Sequence, residues 1–313
     1  MTATPYLIRL AERLSQGFKG ENAIRKEKHS RFILSKQMSD GGFRGREGDS
    51  DLYYTSFAVR SLWMLDGLKP ELLDQVSGYL RCHSLDDMNV VDLVSWLYTA
   101  LAIQLAGGDD LFSSTRNIDP AKLFRNLEEL RRDDGGYAKS REGSLGSTYR
   151  SFLVTLLYEL FDREIPQKNS LIQFIYDRQR DDGGFVEIAP MRQSGTNPTA
   201  AATAILQILG HEDEEVRDDV REFLNSVRSD EGGFQANTRI LFADGLSTFT
   251  GMLTALDWDL KECLRPKPML AFLTDWLELP TGGFRGASWD DEADVEYTFY
   301  GLGCLALRST VEA

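Results

Sequence analysis

The sequence predicts an all-α protein whose helical hairpins close into an α/α toroid. Three observations lead to this fold class. A double glycine followed by an aromatic residue recurs five times along the 313 residues, the apolar residues between the copies follow a helical spacing, and the alternation typical of strands is absent. Because a short helical unit cannot bury its apolar face alone, its repetition predicts one domain over residues 1–313 rather than two unrelated ones.

The double-glycine motif gives the repeat period. Its second glycines are residues 42, 136, 184, 233 and 283, at spacings of 94, 48, 49 and 50 residues. Since 94 is twice 47, a further copy without glycines is expected near residues 84–87. An acidic residue precedes the pair in four copies, and the visible copies are Gly41-Gly42-Phe43, Gly135-Gly136-Tyr137, Gly183-Gly184-Phe185, Gly232-Gly233-Phe234 and Gly282-Gly283-Phe284. About six equal units are therefore predicted.

Each unit is predicted to hold two helices of different character. After each glycine loop comes an apolar helix with few charges, which we assign to an inner ring: residues 52–65, 90–105, 151–160, 199–209 and 248–256. The helix that precedes a loop carries a charged face and an apolar stripe, as over residues 212–227, and is typical of a surface helix. We assign these helices to an outer ring.

Charge and composition exclude several classes of partner. The formal net charge is −14 and the pI about 4.8, so the phosphates of nucleic acids and of anionic membranes are repelled by most of the molecule. No run of about 18 apolar residues is present, and the first helix carries Arg9 and Glu12 where a secretory signal is apolar. We predict a cytoplasmic protein without a membrane span, and the scattered Cys82, Cys263 and Cys304 exclude a disulfide framework.

Helix pairs punctuated by Asp-Gly-Gly-Phe resemble the prenyltransferase and squalene-cyclase toroids, specifically the β subunits of protein prenyltransferases, and most of all that of Rab geranylgeranyltransferase. Residues 48–55, Gly-Asp-Ser-Asp-Leu-Tyr-Tyr-Thr, look like the family's first inner-helix start, and residues 282–302 like its last. The resemblance runs from about Ser35 to Leu307. It implies a central cavity that takes an isoprenoid or prenyl diphosphate, and a helical α-subunit-like protein partner.

The resemblance also implies a zinc site, and this sequence departs from it. The family holds zinc with an Asp and a Cys two residues apart at the start of one inner helix, and with a His at the start of the last. These positions fall on Asp244, Leu246 and Tyr297. Zinc takes thiolate, imidazole or carboxylate ligands and requires three from the protein in a catalytic site. We therefore predict no metal and no cofactor.

Two arginines and two acids remain as candidates for chemistry. Arg150 matches a family arginine that reaches into the cavity, and Arg239 remains from a basic pair, so both are predicted to bind a diphosphate. An internal salt bridge from Arg150 to Asp244 is the alternative. Asp244 and Asp294 are predicted catalytic acids, as in class II terpenoid cyclases, although the Asp-x-Asp-Asp tetrad is absent. The alternative is that both acids cap helix amides.

Aromatic residues in the first turns of the inner helices are predicted to line the cavity. Tyr53, Tyr149, Phe249 and Tyr297 are favoured, and Tyr297 is also a predicted catalytic residue; plain packing between the two rings is the alternative. Because every glycine loop precedes an inner helix, the starts of those helices are expected at one mouth of the toroid. This would bring together Arg150, Arg239, Asp244, Asp294 and Tyr297.

Three functions follow from these residues. The first is an isoprenoid-handling enzyme, by prenyl transfer or prenyl diphosphate conversion, that does not use the family zinc. The second is a class II-like cyclase with an Asp as general acid. The third is a non-catalytic toroid that binds an isoprenoid or a protein.

Overall fold

The structure is a computed structural model that describes residues 4–85, 88–114 and 119–311, and helices account for most of it. The α-helices in these ranges are α1 Tyr6–Gly17, α2 Ala23–Leu34, α3 Leu52–Met64, α4 Pro70–Arg81, α5 Val90–Leu105, α6 Leu111–Ser114, α7 Pro120–Glu128, α8 Thr148–Leu160, α9 Lys168–Tyr176, α10 Thr196–Ile208, α11 Glu214–Ser226, α12 Gly245–Asp257, α13 Pro266–Ala271 and α14 Val295–Val311. Helix α13 continues as a π-helical turn, Phe272–Leu277. Within the described ranges, β-structure is limited to isolated antiparallel bridges.

The glycine loops hold the outer helices close. The first glycine of each pair has a left-handed φ of 81–112°. At Gly183 an added Cβ would meet the backbone carbonyl of Asp219 in α11, and the other four first glycines meet carbonyls of α2, α4, α9 and α13 in the same way. Only a residue without a side chain fits both this backbone and this contact.

The aromatic residue after each glycine pair ties the loop to the following helix. Its ring is at most 1% exposed. Its buried N–H donates to a hydroxyl in the next apolar helix at 2.9–3.0 Å: Phe43 to Thr55, Tyr137 to Ser151, Phe185 to Thr199, Phe234 to Thr248 and Phe284 to Thr298. A buried amide requires such a partner, so these five hydroxyls fix the geometry of the loops.

The chain divides into two compact units. One comprises Met1–Arg9 and Phe124–Phe272, and in it α10 packs against α8 and α12. The other comprises Leu10–Leu123 and Leu273–Ala313, and in it α3 packs against α5 and α14. The prediction of a single domain remains a prediction.

The predicted difference between inner and outer helices agrees with the burial of the side chains. Helix α10 is buried on most sides, whereas the charged α11 buries one stripe: Val216, Val220, Phe223 and Leu224. The apolar helices α8, α10 and α12 begin three residues before the predicted segments, because their first turns are polar and start directly after Ser147, Gly195 and Asp244.

Two further expectations from the sequence concern the copy without glycines and the lack of a membrane span. The predicted copy without glycines includes Asp86 and Asp87, which lie outside the described residues. In the part of the chain that the structure describes, no helix has the length and apolar character needed to cross a bilayer.

Candidate functional site

The start of α12 carries Asp244, the predicted zinc ligand and catalytic acid. Its Oδ1 accepts the Ser247 N–H at 2.7 Å, and its Oδ2 accepts the Ser247 hydroxyl at 2.7 Å. Burial raises the pKa of this carboxyl above its usual value. Both oxygens are thus engaged at the helix N-terminus, in the manner of an N-cap.

The residues around Asp244 do not fit a zinc ion. Leu246, where the family has a thiolate, is a hydrocarbon, and Asp244 already accepts two hydrogen bonds from Ser247. Among the described residues, no group of three or more His, Cys, Asp and Glu side chains could hold a metal. The three histidines lie elsewhere, His29 in α2, His83 after α4 and His211 before α11. No step is derived through zinc.

Arg150 and Arg239 lie in the same unit as Asp244 but in different surroundings. Arg150, in the first turn of α8, is half-buried, and its guanidinium lies 5.8 Å from the Tyr149 ring centre. No described carboxylate forms an ion pair with it, so the alternative of a salt bridge to Asp244 does not apply. Arg239 is exposed in the loop before α12, where its N–H donates to Asn237.

A half-buried carboxylate follows the third glycine pair, and the charge of Arg150 acts on it. Glu187 accepts the Tyr149 N–H at 3.1 Å and the hydroxyl of Ser147. Burial raises the pKa of Glu187, against the hydrogen bonds and the positive charge of Arg150. Glu187 therefore fixes the start of α8, and its carboxylate lies close enough to Arg150 to feel the positive charge of the guanidinium.

The start of α14 carries the second predicted acid, Asp294, which is 4% exposed. Its Oδ1 accepts the Glu296 N–H at 2.7 Å, and its Oδ2 lies 3.8 Å from Arg46 Nε. Burial raises the pKa of Asp294. Tyr297 is half-buried, with its ring beside Gly286 and 6.4 Å from the Tyr300 ring.

An aromatic cluster surrounds the start of α14 and consists of Tyr53, Phe57, Tyr98, Phe299 and Tyr300. The Phe57 ring lies 4.8 Å from Tyr53, 5.3 Å from Phe299 and 5.4 Å from Tyr300. These rings come from α3, α5 and α14, three helices of one unit. Tyr53 is one of the aromatic residues predicted to line the cavity, and that role remains a prediction.

Two charged side chains lie within this cluster. Glu296 Oε1 accepts the hydroxyls of Tyr53 at 2.6 Å and Tyr300 at 3.3 Å. The guanidinium of Arg60 lies over three rings, at 4.4 Å from Phe57, 4.8 Å from Tyr98 and 4.3 Å from Phe299. An arginine held this way is stabilised by the faces of the rings and needs no carboxylate partner.

Burial raises the pKa of Glu296, and the negative charge of Asp294 adds to this; the hydroxyls of Tyr53 and Tyr300 and the charge of Arg60 oppose it. The net direction is upward. Glu296 therefore keeps its proton at higher pH than an ordinary glutamic acid.

The predicted residues thus fall into two sets. Tyr53, Asp294 and Tyr297 belong to the unit that contains α3 and α14. The unit that contains α8 and α12 holds Arg150, Arg239, Asp244, Tyr149 and Phe249. In that unit Tyr149 is 41% exposed and Phe249 is buried at 4%, so only the first is open to a ligand. The gathering of both sets at one mouth remains a prediction.

Sequence reasoning missed Glu296 and Arg60. Glu296 carried a usable signal, because it is an ionisable residue in an otherwise apolar helix, 50 residues after Leu246. Arg60 carried none: it is eight residues into α3, and only the packing of α3, α5 and α14 places three rings around it.

Comparison with known proteins identifies the family of this chain. The family model of the prenyltransferase alpha-alpha toroid domain matches residues 3–82 and 81–312. The chain therefore belongs to the prenyltransferase α/α toroid family, which confirms the predicted fold class and family. A search of curated protein sequences gave no match.

Solved structures of several activities share the fold. Candida albicans protein geranylgeranyltransferase-I, complexed with GGPP, is similar at TM-score 0.71 and 16% identity, over 90% of each chain. The type II terpene cyclase MstE from Scytonema, as its R337A variant with geranylgeranyl dihydroxybenzoate, is similar at TM-score 0.62 and 14% identity, over 97% of this chain and 99% of that chain. An α-1,6-mannanase from Salegentibacter reaches TM-score 0.59 at 14% identity, over 97% and 99%. These likenesses show a shared fold and not a shared reaction.

Proposed function

We propose that this protein converts an isoprenoid substrate without the family zinc, and that the hydrocarbon chain of the substrate lies against the aromatic cluster. The cluster is the observation that carries the proposal, because aromatic faces give an apolar chain a large contact area and stabilise positive charge that develops on it. Two similar proteins, the geranylgeranyltransferase and the terpene cyclase, were solved with geranylgeranyl ligands.

The accessible part of the cluster suits such a ligand. Phe57, Tyr98 and Phe299 are nearly fully buried and form its base. Tyr53 of the cluster is half-buried, and so are three residues beside it: Arg60, Glu296 and Tyr297. A hydrocarbon chain that lies on Tyr53 and Tyr297 would therefore meet few charges apart from those of Arg60 and Glu296.

A prenyl diphosphate is the first candidate substrate, and Arg150, in the unit that contains α8, is proposed as a partner for phosphate. This assignment is tested separately from the contact of the hydrocarbon chain with the aromatic cluster. A charge-assisted hydrogen bond is worth about 1.5–3 kcal/mol, so Arg150→Ala should weaken the binding of geranylgeranyl diphosphate by that amount. Arg163→Ala is the matched control, since Arg163 is exposed at the other end of α8 and stacks on a single ring, that of Phe124. Unchanged affinity in Arg150→Ala would remove the role of Arg150, and Arg239→Ala tests the proposed role of Arg239 in the same way.

The absence of zinc is proposed with this reaction and has its own measurement. Elemental analysis of the purified protein should find no stoichiometric zinc, because Leu246 and Tyr297 cannot replace thiolate and imidazole. Zinc that is bound in the wild type and lost in Asp244→Ala would contradict this.

Acid-initiated cyclisation of a neutral polyene is the second candidate, favoured by the buried carboxyl groups at the starts of α12 and α14. If one of these aspartates is the acid, Asp244→Asn or Asp294→Asn should abolish turnover and leave binding intact, because an amide keeps the shape of the acid and cannot deliver its proton. Binding of prenyl probes without turnover of either substrate class would indicate a non-catalytic toroid. A helical α-subunit-like partner and a cytoplasmic location are further parts of the proposal.

A further inference from the structure

The geometry points to Glu296, rather than to either aspartate, as the group that protonates an alkene or a terminal epoxide of the isoprenoid; this inference rests on the proposed acid-initiated reaction. Glu296 is the carboxylic acid that the structure places inside the aromatic cluster, with a phenol from α3 and a phenol from α14 on one of its oxygens.

The two oxygens of Glu296 are used differently. Oε1 accepts both tyrosine hydroxyls, at 2.6 and 3.3 Å. Oε2 has no hydrogen bond to any residue within the described ranges, and the side chain is only half-buried. A proton on the carboxyl group therefore belongs on Oε2, the oxygen that is open to a ligand.

The two aspartates are less available to a ligand. Asp244 accepts from Ser247 with both oxygens. Asp294 accepts the Glu296 N–H, has its other oxygen 3.8 Å from Arg46 Nε, and is only 4% exposed. The contacts with Ser247 and with the Glu296 N–H are those of helix caps. An acid that donates its proton from such a position must first give up contacts that stabilise the helix start.

The groups that face Glu296 favour a proton that is held to higher pH than in an ordinary glutamic acid. Burial and the charge of Asp294 raise the pKa of Glu296. Tyr53 and Tyr300 donate to Oε1, and Arg60 adds positive charge, so the same surroundings stabilise the carboxylate that remains after transfer. Tyr98, from α5, faces Arg60 rather than Glu296.

The step balances without a further reagent. The π electron pair of the alkene forms a new C–H bond with the proton on Oε2, and the O–H electron pair stays on the carboxylate. With the epoxide, an oxygen lone pair takes the proton and the C–O bond to the tertiary carbon breaks, which leaves a hydroxyl group and the cation. The resulting tertiary cation lies beside aromatic faces and is consumed by attack of a second double bond. Loss of a proton from the last cation to water ends the sequence, and solvent reprotonates Glu296, so the conversion is an isomerisation.

The test compares Glu296→Gln with Glu159→Gln in the full chain. Glu159 is also a glutamic acid whose pKa burial raises, but it accepts the N–H of Tyr6 and lies outside the aromatic cluster. With geranylgeraniol and its terminal epoxide as probes, Glu296→Gln should lower turnover by about 100- to 10 000-fold with unchanged probe affinity, which is the range of general acid catalysis. Glu159→Gln should keep wild-type turnover.

A second measurement does not depend on turnover. The infrared spectrum of the wild type at neutral pH should contain the C=O stretch of a protonated carboxyl group that disappears in Glu296→Gln and remains in Glu159→Gln. Tyr53→Phe removes a hydrogen bond that lowers the pKa of Glu296, so in this variant the band should persist to higher pH.

The outcomes separate this inference from the proposed function. Turnover retained in Glu296→Gln, or an ionised Glu296 at neutral pH, overturns the assignment and leaves the isoprenoid function standing. Failure of the wild type to bind either probe counts against the isoprenoid function, while the infrared band still decides whether Glu296 holds a proton.

Discussion

Helices α12 and α14 begin in the same way and differ at their second residue. Fifty positions separate Asp244 from Asp294, and Leu246 from Glu296. Both aspartates accept a helix N–H at 2.7 Å. At the next step the two starts diverge: Leu246 is a hydrocarbon, whereas Glu296 accepts two phenol hydroxyls inside an aromatic cluster.

The role of a carboxylate at a helix start therefore depends on the groups that donate hydrogen bonds to it. Asp244 and Asp294 contact the backbone of their own helices, and this local contact stabilises a helix whatever the protein does. Glu296 contacts the side chain of Tyr53 in α3, which is 243 residues away in sequence. Contacts over that separation depend on the fold, and for this reason we assign the chemistry to Glu296.

The loops before the two helices differ in one further respect. Glu278, in the loop before α14, accepts hydrogen bonds from Arg25 at 2.7 Å, Lys28 at 2.5 Å and His29 at 3.0 Å. Its counterpart 50 residues earlier is Arg228, which is half-buried. The loop before α14 is therefore stabilised by a buried carboxylate, whereas the loop before α12 has an arginine at that position.

The largest effect on stability is expected at Glu278. Breaking a buried ion pair costs about 3–5 kcal/mol, and we expect about 3 kcal/mol for Glu278→Ala. The lower end applies because the side chains of Arg25 and Lys28 are 27% and 29% exposed and can turn to solvent. Chemical denaturation measures the loss, and Arg228→Ala, the matched variant, should cost within about 0.5 kcal/mol. Equal costs would remove the difference between the two loops.

The same cluster predicts acid sensitivity. Burial opposes the shift at Glu278, but hydrogen bonds from His29, Arg25 and Lys28 lower its pKa; burial lowers the pKa of His29. Both groups therefore bind protons more readily in the unfolded chain, and stability falls as the pH drops, first below about 6.5 for His29 and then below about 4.3 for Glu278. Each pKa unit of difference is worth about 1.4 kcal/mol.

Melting temperature followed against pH measures this loss. The slope below about pH 4.3, the ordinary pKa of a glutamic acid, should be shallower in Glu278→Ala than in the wild type. A stability that is flat from neutral to acidic pH in the wild type would show that the cluster does not form as described.

The hydroxyls that anchor the two loops should be equivalent. The hydroxyls of Thr248 and Thr298 each accept a buried backbone N–H at 3.0 Å, that of Phe234 and that of Phe284 respectively. Replacing either by Val keeps the shape and leaves an N–H without a partner, which costs about 1–3 kcal/mol. Thr310→Val serves as the control, because that hydroxyl donates to a carbonyl at the half-exposed end of α14. A cost at one site alone would mean that the two loops are not built alike.

The smallest effect is expected at the caps. Asp244→Ala and Asp294→Ala should each lower the free energy of unfolding by about 1 kcal/mol, the usual worth of an N-cap. Asp291→Ala, at an exposed position before α14, should stay within about 0.5 kcal/mol of wild type. Thermal unfolding of the three variants gives the comparison, and no loss in Asp244→Ala would contradict its role as a cap.

The sequence by itself determined the features that depend on neighbouring residues. The period of the glycine pairs gave the helical hairpins, because a left-handed turn that an outer helix approaches closely admits only glycine. It also gave the position of the caps at Asp244 and Asp294, and it predicts that Leu246 cannot serve as a zinc ligand, since ligand chemistry depends on residue type.

Only the tertiary structure decided which side chains meet. Glu296 and Tyr53 are 243 residues apart, and Arg60 reaches Tyr98 and Phe299 on two other helices. In the last glycine loop no acid precedes the pair, and His29 of α2 accepts the Gly283 N–H in its place. A repeat period fixes which face a residue occupies within its own helix. Which rings and hydroxyls stand opposite that face depends on how the helices pack, and packing is set by side chains far apart in the chain.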